Sequence, residues 1–143
     1  MTIERMRVSW WSLRIALGAT AFLAGLDKFF NLPANWPAYL SPPVAALPIS
    51  ATSFMHLVGV IEMAVGVVIL IGYTQLGGYV LSMWLIGLAL NLATTGRYFD
   101  VAVRDAVMAV AAFTLAQLSE AEVDLRAGAK DNERARRSHA VTA

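Results

Sequence analysis

The chain has no cysteine, and only 15% of its 143 residues are charged. The first absence excludes disulfides, thiol redox chemistry, iron–sulfur ligation and cysteine-type zinc sites. Any electron transfer must then use a bound small molecule or a partner, and no metal site is assigned. The second absence excludes a water-soluble surface of ordinary make-up, because 58% of the residues are apolar and the mean hydropathy is +0.61. Charge is scarcer still over most of the chain, since residues 120–143 hold ten of the 21 charged side chains. Proline is missing everywhere except between Pro33 and Pro48. A formal net charge of +1 gives no reason to expect nucleic acid as a partner.

What remains is apolar run. Against a bilayer core of about 30 Å, the runs predict spans at Val8–Phe30, Ala51–Gly72, Leu76–Thr95 and Tyr98–Leu118. Each should be a helix, because hydrocarbon offers backbone groups no other partner. The expected fold is an all-α, integral membrane four-helix bundle over residues 1–119, with a charged, partly disordered tail over 120–143 that begins as a helical extension and then frays. A signal peptide competes for the first span, with Arg5 and Arg7 as its basic region and Ala19-Thr20-Ala21 as its cleavage site. Cleavage there would leave almost no apolar core ahead of the site, which favours the span.

The five prolines, with Trp36 and Tyr39, mark an irregular loop at the membrane surface between the first two spans. The short connection at Tyr73–Gln75 predicts an antiparallel hairpin of spans two and three. Basic residues before span one (Arg5, Arg7) and after span four (Arg126, Lys130, Arg134, Arg136, Arg137) put both termini in the cytoplasm. The tail itself reads as a solvated, topogenic charge cluster rather than a specific docking site. A shift of 69 positions also places Gly18 on Gly87 and Lys28-Phe29-Phe30-Asn31 on Arg97-Tyr98-Phe99-Asp100, which suggests a two-plus-two parallel repeat.

Between Val8 and Ser119 stand four bases (Arg14, Lys28, Arg97, Arg104) and four acids (Asp27, Glu62, Asp100, Asp105). Ionisable groups at membrane depth cost a few kcal/mol each unless paired or wet, so their positions are informative. At about 1.5 Å per residue, Glu62 lies about 16 Å into its span, Asp105 about 10 Å and His56 about 8 Å. Asn91 is at a similar depth, and Arg104 adjoins Asp105. Helical spacing turns these groups inward: Arg14, Gly18, Ala21, Gly25 and Lys28 share one face, Glu62 lies between Gly59 and Gly66, and Asp105 shares an alanine stripe.

Each has a plainer reading. Arg14 can snorkel to the headgroups. Asp27, Lys28, Arg97 and Asp100 sit at span ends, where charge is ordinary. His56 suits a neutral, hydrogen-bonded role, and with only His139 besides it no bis-histidine haem can form. Glu62 has no span-end explanation; it either pairs with Arg104 or Lys28, or takes part in proton or ligand chemistry.

Gly25-Leu26-Asp27-Lys28 closing span one, Glu62-Met63-Ala64-Val65-Gly66 with Leu70-Ile71-Gly72 in span two, and Arg104-Asp105 in span four resemble the DoxX family of small four-helix membrane proteins. That family includes the DoxD-type subunit of thiosulfate:quinone oxidoreductase. The resemblance covers roughly residues 13–118 and implies a multi-pass protein of the bacterial inner membrane, with quinone-linked redox work in some members. The long proline-rich loop departs from a close match to any one member.

Three functions follow as expectations. In the first, the chain is a membrane subunit of an oxidoreductase: His56, Lys28, Asn91 and Arg104 bind a quinone-like headgroup, Glu62 and Asp105 handle its protons, and neither haem nor iron–sulfur is present. In the second, it is a non-catalytic assembly or anchoring subunit, working through a protein partner or as a homo-oligomer. In the third, proton or small-solute transport, four helices leave so little room for alternating access that an oligomer would be required.

Overall fold

A computed structural model describes residues 3–32 and 34–141. Among them there is no strand; the chain folds as α1 (Ile3–Asp27), a 3-10 turn (Trp36–Tyr39), α2 (Pro42–Ala45), α3 (Ala51–Ile71), α4 (Thr74–Thr94) and α5 (Phe99–Val141). The all-α expectation holds, with each predicted span falling mostly within one long helix and overrunning it by one to three residues. Three of these, α3, α4 and the first part of α5, are long and apolar enough to cross a membrane. α1, at 25 residues, is longer than α3 or α4 but less apolar, and is not among these three.

Local chemistry sets the boundaries. Ser50 caps α3, its Oγ accepting from Ser53 N at 3.1 Å. Gly72, at φ 123°, ends α3 in a backbone conformation that side chains resist, and the chain turns within Gly72–Tyr73 into α4. The predicted hairpin is therefore present. Between α1 and α3 the prolines allow only short turns: Pro42 and Pro43 open the single turn of α2, where a missing N–H costs nothing.

Packing is closest within two pairs, α1 with α3 and α4 with α5; the α3/α4 and α1/α5 contacts are sparser. In the first pair glycine faces glycine. A Cβ on Gly25 would stand 2.5 Å from Gly59 O, and one on Gly66 would stand 2.7 Å from Gly18 O, so both crossings need hydrogen at these positions. In the second pair a Cβ on Gly78 would meet Ala112 O at 2.9 Å. Lipid tails are as apolar as leucine, so helices in a bilayer gain little by hiding leucine from solvent; close backbone approach, with its dense dispersion contacts, holds them instead. Ile69, Leu115 and Ala112 fill the centre with no exposed surface. Outward faces are apolar too, with Met83 74% and Val110 66% exposed, as suits lipid contact.

α5 continues to Val141, about 64 Å in all at 1.5 Å per residue, or twice what the hydrocarbon needs. Its distal half is rich in good helix formers and carries Glu122–Arg126 and Glu133–Arg137 pairs, each at 2.6 Å and four residues apart.

Candidate functional site: a charged cavity between α1 and α5

Asp27 ends α1, where a carboxylate opposes the helix dipole. It is held there by donors from the following loop: Leu32 N gives to Oδ1 at 3.1 Å and the Trp36 indole gives to Oδ2 at 2.5 Å. That bond lays the Trp36 ring over Lys28, whose Nζ is 4.0 Å from the ring centroid. Lys28 Nζ also donates to Ala24 O at 3.4 Å and to Glu62 Oε2 at 2.5 Å. Lys28 and Glu62 are each only 5% exposed, so each charge is compensated by the other. The second Glu62 oxygen accepts from Trp84 Nε1 at 3.5 Å, tying α3 to α4.

Asp27, Lys28, Trp36 and Glu62 line a cavity of about 430 Å³, a size that takes a small organic ligand. Its other wall is α5, with Arg104, Asp105 and Met108, and its apolar lining includes Leu17, Leu81 and Leu85. Asp105 is buried at 8%. Its ion-pair partner Arg104 stands at 3.6 Å through Nε and is largely exposed, so the carboxylate keeps open acceptor capacity beside the cavity. Lys28 and Glu62, by contrast, are engaged with each other and with α1, Trp36 and Trp84.

The predicted site residues therefore divide. Lys28, Glu62, Arg104 and Asp105 line one cavity. His56 does not join them: its ring stacks on Phe29 at 4.7 Å between centroids. Asn91 is also elsewhere, where its side-chain amide donates to Tyr39 O at 3.0 Å and its oxygen accepts from Ser41 N at 3.2 Å. It pins the proline-rich loop, whose Tyr39 ring stacks on Tyr98 at 4.3 Å. Both His56 and Asn91 face neighbours other than the cavity. Arg14 is neither free nor merely snorkelling; it donates to Ile69 O and Leu70 O at the end of α3, at 3.0 and 2.6 Å. Of the two Glu62 partners considered, Lys28 is the one found.

Asp27 and Trp36 belong to the cavity although their positions first read as a span end and a headgroup aromatic. An acid on the last residue of a helix, with an indole nine residues on, was the available signal. Trp84, by contrast, carried none.

Apolar membrane-length helices packed through glycine around a charged cavity define a small polytopic helical membrane protein. Residues 9–93, more than half of the chain, match the model of the DoxX family, and the chain belongs to that family. The match takes in Asp27, Lys28, Trp36, Glu62 and Trp84, whereas Arg104 and Asp105 lie beyond it. No curated protein and no solved structure matches the chain.

Proposed function

We propose that the chain is a quinone-binding membrane subunit of an oxidoreductase in a bacterial inner membrane, spanning it four times with both termini cytoplasmic. The observation that carries this reading is a single cavity lined both by the Asp105 carboxylate, which keeps open acceptor capacity, and by the buried Lys28–Glu62 pair. A quinone head is a flat apolar ring with polar oxygens. It fits a cavity with apolar walls and a few charged groups. When bound, quinone supplies the two-electron, two-proton chemistry, and the electrons come from a partner subunit because the chain has no cysteine and no cofactor motif of its own. Arg104 donates to a carbonyl oxygen, Asp105 accepts from the corresponding hydroxyl, and Lys28–Glu62 shares one proton that it can pass to or take from the ligand, the second being exchanged through Asp105.

Four spans are supported by the glycine crossings of α1 on α3, through which residues 14–28 run alongside residues 59–70 of that apolar helix. Orientation is read by single cysteines at exposed Asn35, Tyr73 and Asn132 with an impermeant thiol reagent on intact cells. Only Asn35→Cys should label. Thr74 would be a poor reporter, being 2% exposed.

The functional test is saturable binding of short-chain ubiquinone and menaquinone analogues to purified protein in nanodiscs. Asp105→Asn and Glu62→Gln should each weaken binding about tenfold, or about 1.4 kcal/mol. His56→Ala should leave it unchanged. Absence of saturable binding, or binding indifferent to both acids, removes the proposal.

A second reading, anchoring of a partner, rests on the exposed charged helix beyond Ser119. Deleting residues 126–143 should then abolish recruitment of that partner while the bundle stays folded. An unchanged set of co-purifying proteins argues against it.

A further inference from the structure

We propose that the cleft at the termini end of the bundle binds the phosphate headgroup of an anionic phospholipid. This cleft, about 540 Å³, lies between the start of α1, the α3–α4 turn and α5 just past Ser119. It is separate from the charged cavity and shares no lining residue with it.

Three arginines line it, Arg7, Arg14 and Arg126, against one acid, Glu122. Their engagements differ. Arg14 is fixed by the α3 carbonyls, and its guanidinium carbon is 5.0 and 4.7 Å from the ring centroids of Trp10 and Trp11. Arg126 meets Glu122 at 2.6 Å from an otherwise exposed side chain. Arg7 is exposed, with no ion pair or side-chain hydrogen bond among the described residues. Glu120 is turned to Gln75 and Tyr79 at 2.7 and 2.8 Å, and the nearby Glu4 and Asp124 are exposed and do not line the cleft. The cleft therefore offers an anion one free guanidinium, the remaining donors of two more, and little competing negative charge.

Depth selects the source of the phosphate. Arg14 binds the last carbonyls of α3, a 21-residue helix about 31 Å long, so the cleft opens at the headgroup level of the bilayer. Trp11 and Tyr73 at its rim are exposed amphipathic aromatics of the kind that settle there. Immediately below, Ile15 and Leu76 are 55% and 61% exposed, giving acyl chains an apolar path beside the arginines. A free phosphate ion would use the arginines alone. A lipid uses both surfaces, and basic groups at this position gain from the anionic leaflet as well.

The test is native mass spectrometry of the full chain with phosphatidylglycerol, cardiolipin or phosphatidylcholine added in mixed micelles. Phosphatidylglycerol and cardiolipin should be retained over phosphatidylcholine. Arg7→Gln should reduce that preference about fivefold and Arg7→Gln/Arg126→Gln about twenty-fivefold, at about fivefold per basic group near a membrane surface. Both side chains are exposed, so circular dichroism should show both variants folded as the parent. Lys130→Gln/Arg134→Gln, with its substitutions on the same helix but outside the cleft, should retain the preference. Equal retention of phosphatidylcholine, displacement by millimolar inorganic phosphate, or a loss that follows Lys130 and Arg134 instead of Arg7 and Arg126 would overturn the proposal.

Discussion

The two close helix pairs solve the same packing problem with different chemistry. α4 meets α5 through Gly78 against Ala112 and Ala116, and among the described residues no ion pair joins them. α1 meets α3 through two glycine crossings and, beside them, a lysine–glutamate pair buried at 5% on each side. Close approach in this bundle therefore needs small residues but no ion pair; α4 and α5 are joined instead by hydrogen bonds from Gln75 and Tyr79 to Glu120. The internal sequence repeat makes the contrast sharper: Gly18 is packed against Leu70 and Gly66, while its counterpart Gly87 has nothing within 4 Å of a would-be Cβ. Lys28 is buried, and its counterpart Arg97 is exposed. If the halves share an origin, only the first has turned its charged span end into a cavity wall.

The largest break in this comparison comes from separating the pair. Lys28→Met leaves Glu62 buried without its cation and should cost about 3–5 kcal/mol in a detergent unfolding assay, whereas Lys28→Met/Glu62→Leu should recover most of that loss. Recovery of stability without recovery of ligand binding would separate the pair's chemistry from its packing. A double variant as unstable as the single one would mean that the charges hold the pair of helices together after all.

Next in size are the crossings. Gly25→Ala puts a methyl against the Gly59 carbonyl and the Met63 amide, both backbone atoms, and should destabilise by about 1–3 kcal/mol. Asn91→Leu leaves Ser41 N and Tyr39 O without their partner and should cost about 1–3 kcal/mol, seen as faster proteolysis in the loop. The smallest effect is expected at Gly87, where Ala meets open space. It should be neutral or stabilise by up to about 1 kcal/mol through helix propensity.

Much of this architecture was readable from the chain because it rests on one-dimensional signals. Span lengths follow from bilayer thickness, and the Tyr73 turn follows from the break between runs. The glycine and alanine stripes mark the faces that the structure buries, since small residues in lipid have few other reasons to recur at helical spacing. Glu62 and Asp105 stood out by depth and helical spacing, and Lys28 as a possible partner of Glu62. What escaped was rotation and reach. His56 and Asn91 face other neighbours than the cavity, because azimuth depends on helix pairing, which no single run encodes. Trp36 enters the site because a loop folds back and Asp27 catches its indole, a tertiary event written in no local pattern. The helical start of the tail was expected; its continuation along α5 goes with acids and bases spaced four residues apart.

The most direct test of the central claim, that the charged cavity between α1 and α5 is a ligand site, is to locate a photoreactive short-chain quinone analogue by peptide mapping after irradiation in nanodiscs. The account predicts labelling on Thr20, Leu23 and Met108 at the cavity wall, suppressed by excess unlabelled quinone and reduced about tenfold by Asp105→Asn. Labelling spread over the outward faces at Met83 and Val110, or confined to the α3/α4 side and indifferent to Asp105, would contradict it.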